Sequence, residues 1–422
     1  MEKINGVLTI GQNDMEFLSK SFGTAFYLFY ADKFDSNYKN LIEKFTKYYD
    51  KFQIAYSCKT NYLPQCLKIV LNNGGYAEVV SDMELEIAHR SGFKDNRIIW
   101  NGPVKNYQIL DKFLLNGGLS NIDNLDEWNH VKEIASNNKS NTFRIGIRCC
   151  FDTGDGVISR FGIDTKSDEF QSILWDIAKS ENIELVSLQC HFAKRKSCYW
   201  GKRTSELLKI YGFIKNEYGL SPKILDLGGG ISGIMTKEFS QQIGSTENGP
   251  DGFAEKSASL VYEYFKDFDD KPLLLTEPGT ALAADSMSIV LEVQNIRCVR
   301  SKWIATVNGS QKNISMNNLN PPIHVIHMNK TNSKMFENLD IAGYTCIESD
   351  YLYKGYKGKL AVGDIIVLDY CGSYSLVCKP PFISPNIPVV GIRNNDIQSA
   401  VLLKNKESNE DVIKTYNIDI SI

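Results

Sequence analysis

The chain is 422 residues long, which allows two or three domains of ordinary size or one large barrel with an appendage, and excludes a small stapled scaffold. Hydrophobic residues make up 43% and charged residues 23%, and 47 basic against 50 acidic side chains leave a formal charge of −3, so neither a disordered chain nor a generic nucleic-acid binder fits. No run approaches the ~20 apolar residues of a membrane-spanning helix, and the opening MEKINGVLTIGQNDM lacks the basic flank and apolar stretch of a secretory signal, which points to a soluble cytoplasmic protein.

In chain order, residues 1–24 with the strand candidate Val7 to Ile10 are too few for a domain and are expected to pair into a sheet built by the other end of the chain. From about 25 to 285, short apolar runs alternate with amphipathic segments. The runs are Ala25 to Tyr30, Ile54 to Ser57, Tyr76 to Val80, Ile98 to Trp100, Phe143 to Arg148, Leu185 to Phe192, Ile224 to Leu227 and Leu273 to Thr276, each suited to a buried parallel strand. Between them, Asp35 is placed to cap a helix carrying Leu41, Ile42, Phe45, Tyr48 and Tyr49. Ser81 and Glu84 have capping-box spacing, with Gly92 as the stop. Eight such units predict a (β/α)8 barrel over 25–285, with a polar surface loop at 244–252. From 286 to 422 the strand candidates Ser288 to Asn295, Trp303 to Val307, Ile323 to Ile326, Asp364 to Asp369 and Ile387 to Gly391 lack regular helices between them, which predicts a separate β domain.

Ten cysteines are scattered without a CxxC pair or a histidine at zinc-finger spacing, and free buried thiols are expected, with no metal site. Chemistry gathers at strand ends. Lys59 in AYSCKTNYLP follows a strand and so stands at a barrel's C-terminal mouth, where it is either a desolvated nucleophilic amine or a solvated loop lysine. ILDLGGG ends a strand in Gly228, Gly229 and Gly230, which suits backbone contact with a phosphate and equally a tight turn. LLLTEPGTALA brings Glu277, Gly279 and Thr280 to the same rim, and LQCHFAKR brings His191, a catalyst or a core histidine. In the β region, Cys346 in YTCIESD and Tyr374 in YCGSYS also read as small buried hydrophobe and packed aromatic.

In this order, AYSCKTNYLPQCL, YAEVVSDMELEIAHRSGF, SRFGI, CHF, DLGGG, EPG, the Cys346 segment, Gly363 with Asp364, and GSYS resemble the fold-type III pyridoxal-phosphate decarboxylases, the group of diaminopimelate and ornithine decarboxylases. The resemblance implies an alanine-racemase-like (β/α)8 barrel with a C-terminal β domain, and pyridoxal 5'-phosphate as cofactor. It implies that Lys59 is the Schiff-base lysine, that His191 stacks on the pyridine ring, that Glu277 pairs with the ring nitrogen and that Arg148 lies near the phenolic oxygen. Gly228 to Gly230, Gly279, Thr280 and Tyr374 would hold the phosphate. Cys346, from the second subunit of a homodimer, would return a proton after carbon dioxide leaves.

Four departures bear on substrate. The family's EPGR arginine is Thr280, and a second arginine, in a segment reading RP, aligns with Asn320. The acidic residue after the family cysteine is Ile347, followed by Glu348, and the serine of HIGS becomes Lys194 in a basic loop that either meets an anion or is simply solvated. These changes resemble decarboxylases of specialised pathways, acting on conjugated amino acids in siderophore assembly or carrier-bound aminoacyl groups in antibiotic assembly. A diamino-acid decarboxylase, a racemase on the same scaffold and a catalytically silent cofactor-binding homologue are the alternatives.

Overall fold

The computed structural model describes residues 3–4, 7–8, 10–244, 247–316, 318–328, 333–394 and 396–418. The chain divides into two units, one of Asp35–Ile234 with Thr246–Leu282, the other of Met1–Phe34, Met235–Ser245 and Ala283–Ile422. In the first, eight parallel strands are hydrogen-bonded in sequence order: Phe52–Ser57, Tyr76–Val79, Ile98–Trp100, Leu119–Ile122, Phe143–Cys150, Ile183–Gln189, Ile224–Asp226 and Leu273–Thr276. The eighth returns to the first through Leu274↔Phe52 and Thr276↔Ile54, which closes the barrel.

Closure arranges the interior in layers, because inward positions recur every second residue along each strand. One layer is apolar: Ala55, Ile99, Leu119, Val186, Ile224 and Leu275 pack together with Tyr76 beside them. Two residues further along come Ser57, Glu78, Asn101, Asn121, Asp226 and Glu277, all buried and all polar. The sixth strand joins this polar layer with Gln189 after a register shift between Leu185 and Ser187. An apolar plug therefore carries a polar floor at the strands' C-terminal ends.

The intervening helices cover the barrel with apolar stripes, as where Asp168–Lys179 buries Phe170, Ile173, Leu174 and Ile177. Ser81 caps Asp82–Arg90 by accepting from the Glu84 N–H at 3.2 Å, as its spacing predicts, but the Glu84 carboxylate turns to the Val80 N–H at 2.9 Å instead of the cap's own. Asp35 does not cap its helix. That helix runs Ala31–Thr46, directly after a strand, and Asp35 inside it pairs with Lys39 at 2.6 Å and accepts from Asn73 at 2.7 Å.

Two further expectations need correction. Ala25 to Tyr30 is not a barrel strand: Phe26–Tyr30 lies in the second unit's sheet, antiparallel to Met287–Val299 and parallel to Val389–Arg393. Four successive buried side chains, Phe26 to Phe29, show why an apolar run alone could not distinguish the two settings. The remaining barrel strand is the fourth, Leu119–Ile122, whose Ser120 and Asn121 interrupt the apolar run that marks the others. So the β unit is completed by an N-terminal strand, but a later one than Val7 to Ile10, of which Val7–Leu8 pairs with Lys3–Ile4 and Thr9 lies outside the described residues.

The second unit's sheet runs Tyr351–Leu360, Lys334–Ala342, Lys302–Val307, Met287–Val299, Phe26–Tyr30, Val389–Arg393 and Asp396–Lys404, with Ile365–Leu368 bridging Met287–Val299 and Ile323–Ile326. Its core gathers Met15, Leu18, Phe26, Leu28, Val290, Ile365, Val367 and Val390. Of the expected loop at 244–252, Asp251 and Gly252 instead open the helix Asp251–Phe265, and residues 235–245 cluster with the β unit. All ten cysteines are free, but Cys198, Cys298, Cys346 and Cys378 are exposed, against the expectation of burial. Among the described residues no helix is long and apolar enough to cross a membrane.

Candidate active site

The first strand runs into a single 3-10 turn, Cys58–Thr60, which presents Lys59 at the rim with 36% of its side chain exposed. Its Nζ lies 2.6 Å from Glu78 Oε2, an oxygen that also accepts from Ser57 Oγ at 2.7 Å. Burial pushes the Glu78 carboxyl up, but the Lys59 charge and the hydrogen bonds from Lys59, Ser57 and Asn101 outweigh it and leave the group below the usual carboxylate range. Glu78 is therefore ionised, and it holds the Lys59 amine at the floor.

Glu277, one residue past the eighth strand, faces the opposite balance. Asn101 Nδ2 donates to its Oε1 at 2.6 Å, and Gln189 Nε2 approaches both oxygens at 3.2 and 3.3 Å. Burial nonetheless raises the carboxyl well above its ordinary value, and the charges of Asp226 and Glu78 raise it further. Asp226 is raised as well, chiefly by burial, although the Gly228 N–H donates to it at 2.9 Å. Burial thus favours the protonated form at both Asp226 and Glu277, while Asn101 links Glu277 to Glu78, to which it donates at 3.1 Å.

His191 follows the sixth strand. Burial, then the charges of Lys59, Arg203, Arg148 and Arg195, lower it well below the usual imidazole range, so it is neutral. Its Nδ1 accepts from the Gly229 N–H at 2.9 Å, which places the ring proton on Nε2. The glycine run is packed tightly. Gly228 has φ +68°, and a Cβ there would strike the Cys190 carbonyl and come within 2.9 Å of His191; a Cβ on Gly229 would lie 2.6 Å from the Glu277 carbonyl. Gly279 rests on Thr60, the Ser57 N–H donates to the Pro278 carbonyl at 3.2 Å, and Thr280 opens the short helix Thr280–Ala283. Arg148, on the fifth strand, lies over the Phe161 ring at 4.6 Å with Nη1 3.4 Å from Asp123.

The barrel unit therefore brings together Lys59, His191, Glu277 and the three glycines, with Arg148, Gly279 and Thr280 at the same strand ends. Lys194 is exposed on the loop after His191. Cys346, Ile347, Glu348 and Tyr374 belong to the β unit. There Cys346 is exposed in a turn organised by Asp350, whose carboxylate accepts from the Thr345 Oγ1 at 2.6 Å and the Gln311 N–H at 2.7 Å. Tyr374 holds a left-handed backbone, φ +61°, a conformation a bulky residue adopts only under constraint. Sequence reasoning did not single out Glu78, Asn101, Gln189 and Asp226. For all but Gln189, the signal was a polar residue two places beyond an apolar inward one.

Residues 36–284, more than half of the chain, match the pyridoxal-binding domain of the pyridoxal-dependent decarboxylases. Diaminopimelate decarboxylase of Methanothermobacter thermautotrophicus is 23% identical over 98% of this chain and 96% of that protein. The L-glutamyl-[BtrI acyl-carrier protein] decarboxylase of Niallia circulans is 22% identical over 97% of each. The crystal structure of diaminopimelate decarboxylase from M. jannaschii superimposes with a TM-score of 0.84 at 20% identity, covering 100% of this chain and 96% of that one, and shares the barrel and β-domain fold. The chain belongs to the pyridoxal-dependent decarboxylases and is a pyridoxal-phosphate enzyme that decarboxylates an amino acid.

Proposed function

We propose that this enzyme removes the α-carboxylate of an amino acid or amino-acid conjugate in a specialised biosynthetic pathway, as a homodimer, and is not itself a diaminopimelate decarboxylase. The observation that carries the reading is the loss of both family arginines. Thr280 takes one place, and at the other the Asn320 amide is spent on its own fold, donating to the Lys354 carbonyl at 2.8 Å and accepting from the Lys354 N–H at 2.9 Å. A site that bound a distal carboxylate through two guanidinium groups cannot lose both and keep that substrate, because each charge-assisted pair contributes roughly 1.5–3 kcal/mol. Ile347, where the diamino-acid enzymes carry an acid, removes the partner for a distal ammonium as well.

The residues present fit the cofactor. Lys59 supplies an amine for covalent attachment, the neutral His191 offers a flat face for the ring, and Gly228 to Gly230 bring a run of backbone without side chains to the strand end, as phosphate contact requires. Pyridoxal phosphate, when bound, accepts the electron pair left on Cα as carbon dioxide departs. Asn101 and Gln189 favour the ionised form of Glu277, the form able to accept a hydrogen bond from a protonated ring nitrogen. Glu78 keeps Lys59 at the floor and takes part in its proton balance. The roles implied for Arg148, Cys346 and Tyr374 belong to the same proposal, as does Lys194 as a contact for an anionic substrate tail.

The test is carbon dioxide release from the loaded enzyme with L- and D-amino acids, meso-diaminopimelate, citryl-conjugated amino acids and carrier-bound aminoacyl compounds. Release from a conjugate or carrier-bound member is expected, and preferential turnover of diaminopimelate would overturn the proposal. That second reading, a diaminopimelate decarboxylase with altered anchors, is favoured by the names of several relatives and by Glu348 beside Ile347. The carrier-bound arm is suggested by the glutamyl-carrier decarboxylase among the relatives.

A further inference from the structure

The helix Ser197–Tyr218 buries Arg203, only 1% exposed, against the glycine loop. The guanidinium lies 3.5 Å from the centre of the Trp200 ring, and its Nη2 donates to the Gly229 carbonyl at 3.1 Å. Its Nε and Nη1 are buried without a hydrogen-bond partner among the described residues. Both backbone polar groups of Gly229 are thus committed, the carbonyl to Arg203 and the N–H to His191. Cys190, Glu277 and Asp226 act on the guanidinium only at a distance: among the described residues none of them is hydrogen-bonded to it, and burial favours the protonated form of all three. Burial lowers Arg203 to about 10, which leaves it charged at neutral pH. A buried cation with spare donors and no anion is costly unless an anion arrives with the ligand.

We infer that Arg203 is a positioning residue for the cofactor phosphate. Through Gly229 it fixes both the phosphate loop and the His191 ring, and its charge supplies the cation that Thr280 no longer provides. The inference rests on the reading that the loop of Gly228 to Gly230 takes the phosphate.

The experiment compares wild type, Arg203→Gln and Arg203→Lys by cofactor dissociation constant and by the pH titration of the bound phosphate's phosphorus-31 resonance. A neighbouring positive charge keeps phosphate dianionic to lower pH, so Arg203→Gln is expected to titrate at higher pH and to bind pyridoxal phosphate at least about tenfold more weakly. Arg203→Lys retains the charge and is expected to titrate as wild type; a shift there overturns the inference even if the Gln variant fails to fold. Pyridoxal without its phosphate is the control. If Arg203→Gln weakens pyridoxal as much as pyridoxal phosphate, or leaves both unchanged, Arg203 does not act on the phosphate. Gly230→Ala separates the two readings: with φ +97° at this position, it should strain the loop and weaken pyridoxal phosphate. If it does so while Arg203→Gln does not, the Arg203 inference alone falls; if neither does, the phosphate is not at this loop and both fall.

Discussion

Asn101→Ala removes a side chain that joins Glu277 and Glu78 across the barrel floor. Its Nδ2 donates to Glu277 at 2.6 Å and to Glu78 at 3.1 Å, and its Oδ1 accepts from Asn121 at 2.8 Å. A buried hydrogen bond to an ionised group contributes about 1.5–3 kcal/mol and a neutral one about 1 kcal/mol. In the cofactor-free protein Glu78 is the ionised partner, so losing the Glu78 and Asn121 bonds should cost about 3 kcal/mol of folding stability. With the cofactor in place Glu277 must ionise as well, and its lost donor adds about 1.5–3 kcal/mol, a tenfold to hundredfold fall in cofactor affinity or kcat. Urea unfolding of the cofactor-free protein reads the first quantity, and cofactor titration with carbon dioxide release reads the second. Asn121→Ala, which breaks only the neutral link, should cost about 1 kcal/mol in the first assay and leave the second within twofold. If Asn101→Ala lost less than about 1 kcal/mol and kept wild-type turnover, the floor would not be the connected network described above.

Borohydride reduction followed by peptide mapping should place the cofactor on Lys59 alone, and Lys59→Ala should abolish the label; a label elsewhere would refute the assignment. Gly228→Ala drives a methyl group into the Cys190 carbonyl at a left-handed backbone position, and a loss of about 2–4 kcal/mol with poor cofactor retention is expected, read by thermal melts with and without cofactor. Glu84 is pushed up to about 7, first by burial and then by the Glu78 charge, against the Val80 hydrogen bond. Because the folded value lies above the unfolded one, its favourable contribution is complete below the ordinary carboxylate value and is lost as pH rises through about 7. Glu84→Gln should therefore gain on wild type by on the order of 2–3 kcal/mol between pH 5 and pH 8, and a urea-midpoint difference that stays constant over that window would count against it. Co-refolded Lys59→Ala and Cys346→Ala subunits should recover about a quarter of wild-type turnover if each site draws on both subunits, whereas no recovery would refute the shared-site homodimer.

The sequence displayed the barrel's rhythm through seven of its eight strands and the mouth residues Lys59, His191, Glu277 and the glycine run through their positions just past apolar segments. What it concealed has a physical cause in each case. Leu119–Ile122 failed to look like a strand because its Asn121 points to the polar layer, where it bonds Asn101. Phe26–Tyr30 looked like a barrel strand because a central strand of a covered mixed sheet is as apolar as one in a parallel sheet. Lys334–Ala342, Tyr351–Leu360 and Asp396–Lys404 were missed because charged and polar residues are scattered among their apolar ones without a clear period, as in a polar linker. Glu78, Asn101 and Asp226 were visible as letters but not as a set; only closure of the barrel puts residues from separate strands onto one level. Arg203 lies within a helix, and nothing in the local pattern distinguishes it from a surface arginine.

The placement of Phe26–Tyr30 also sets the order in which the protein can be made. Its two sheet partners, Met287–Val299 and Val389–Arg393, leave the ribosome only after the whole barrel has been synthesised. At translation speeds of about 5–20 residues per second, an apolar segment with both edges unpaired waits on the order of tens of seconds for its neighbours. The barrel, contiguous except for residues 235–245, has no such delay. All eight barrel strands are thus synthesised while the apolar Phe26–Tyr30 segment still lacks both of its partners, the stage at which an unpaired strand is most prone to pair wrongly.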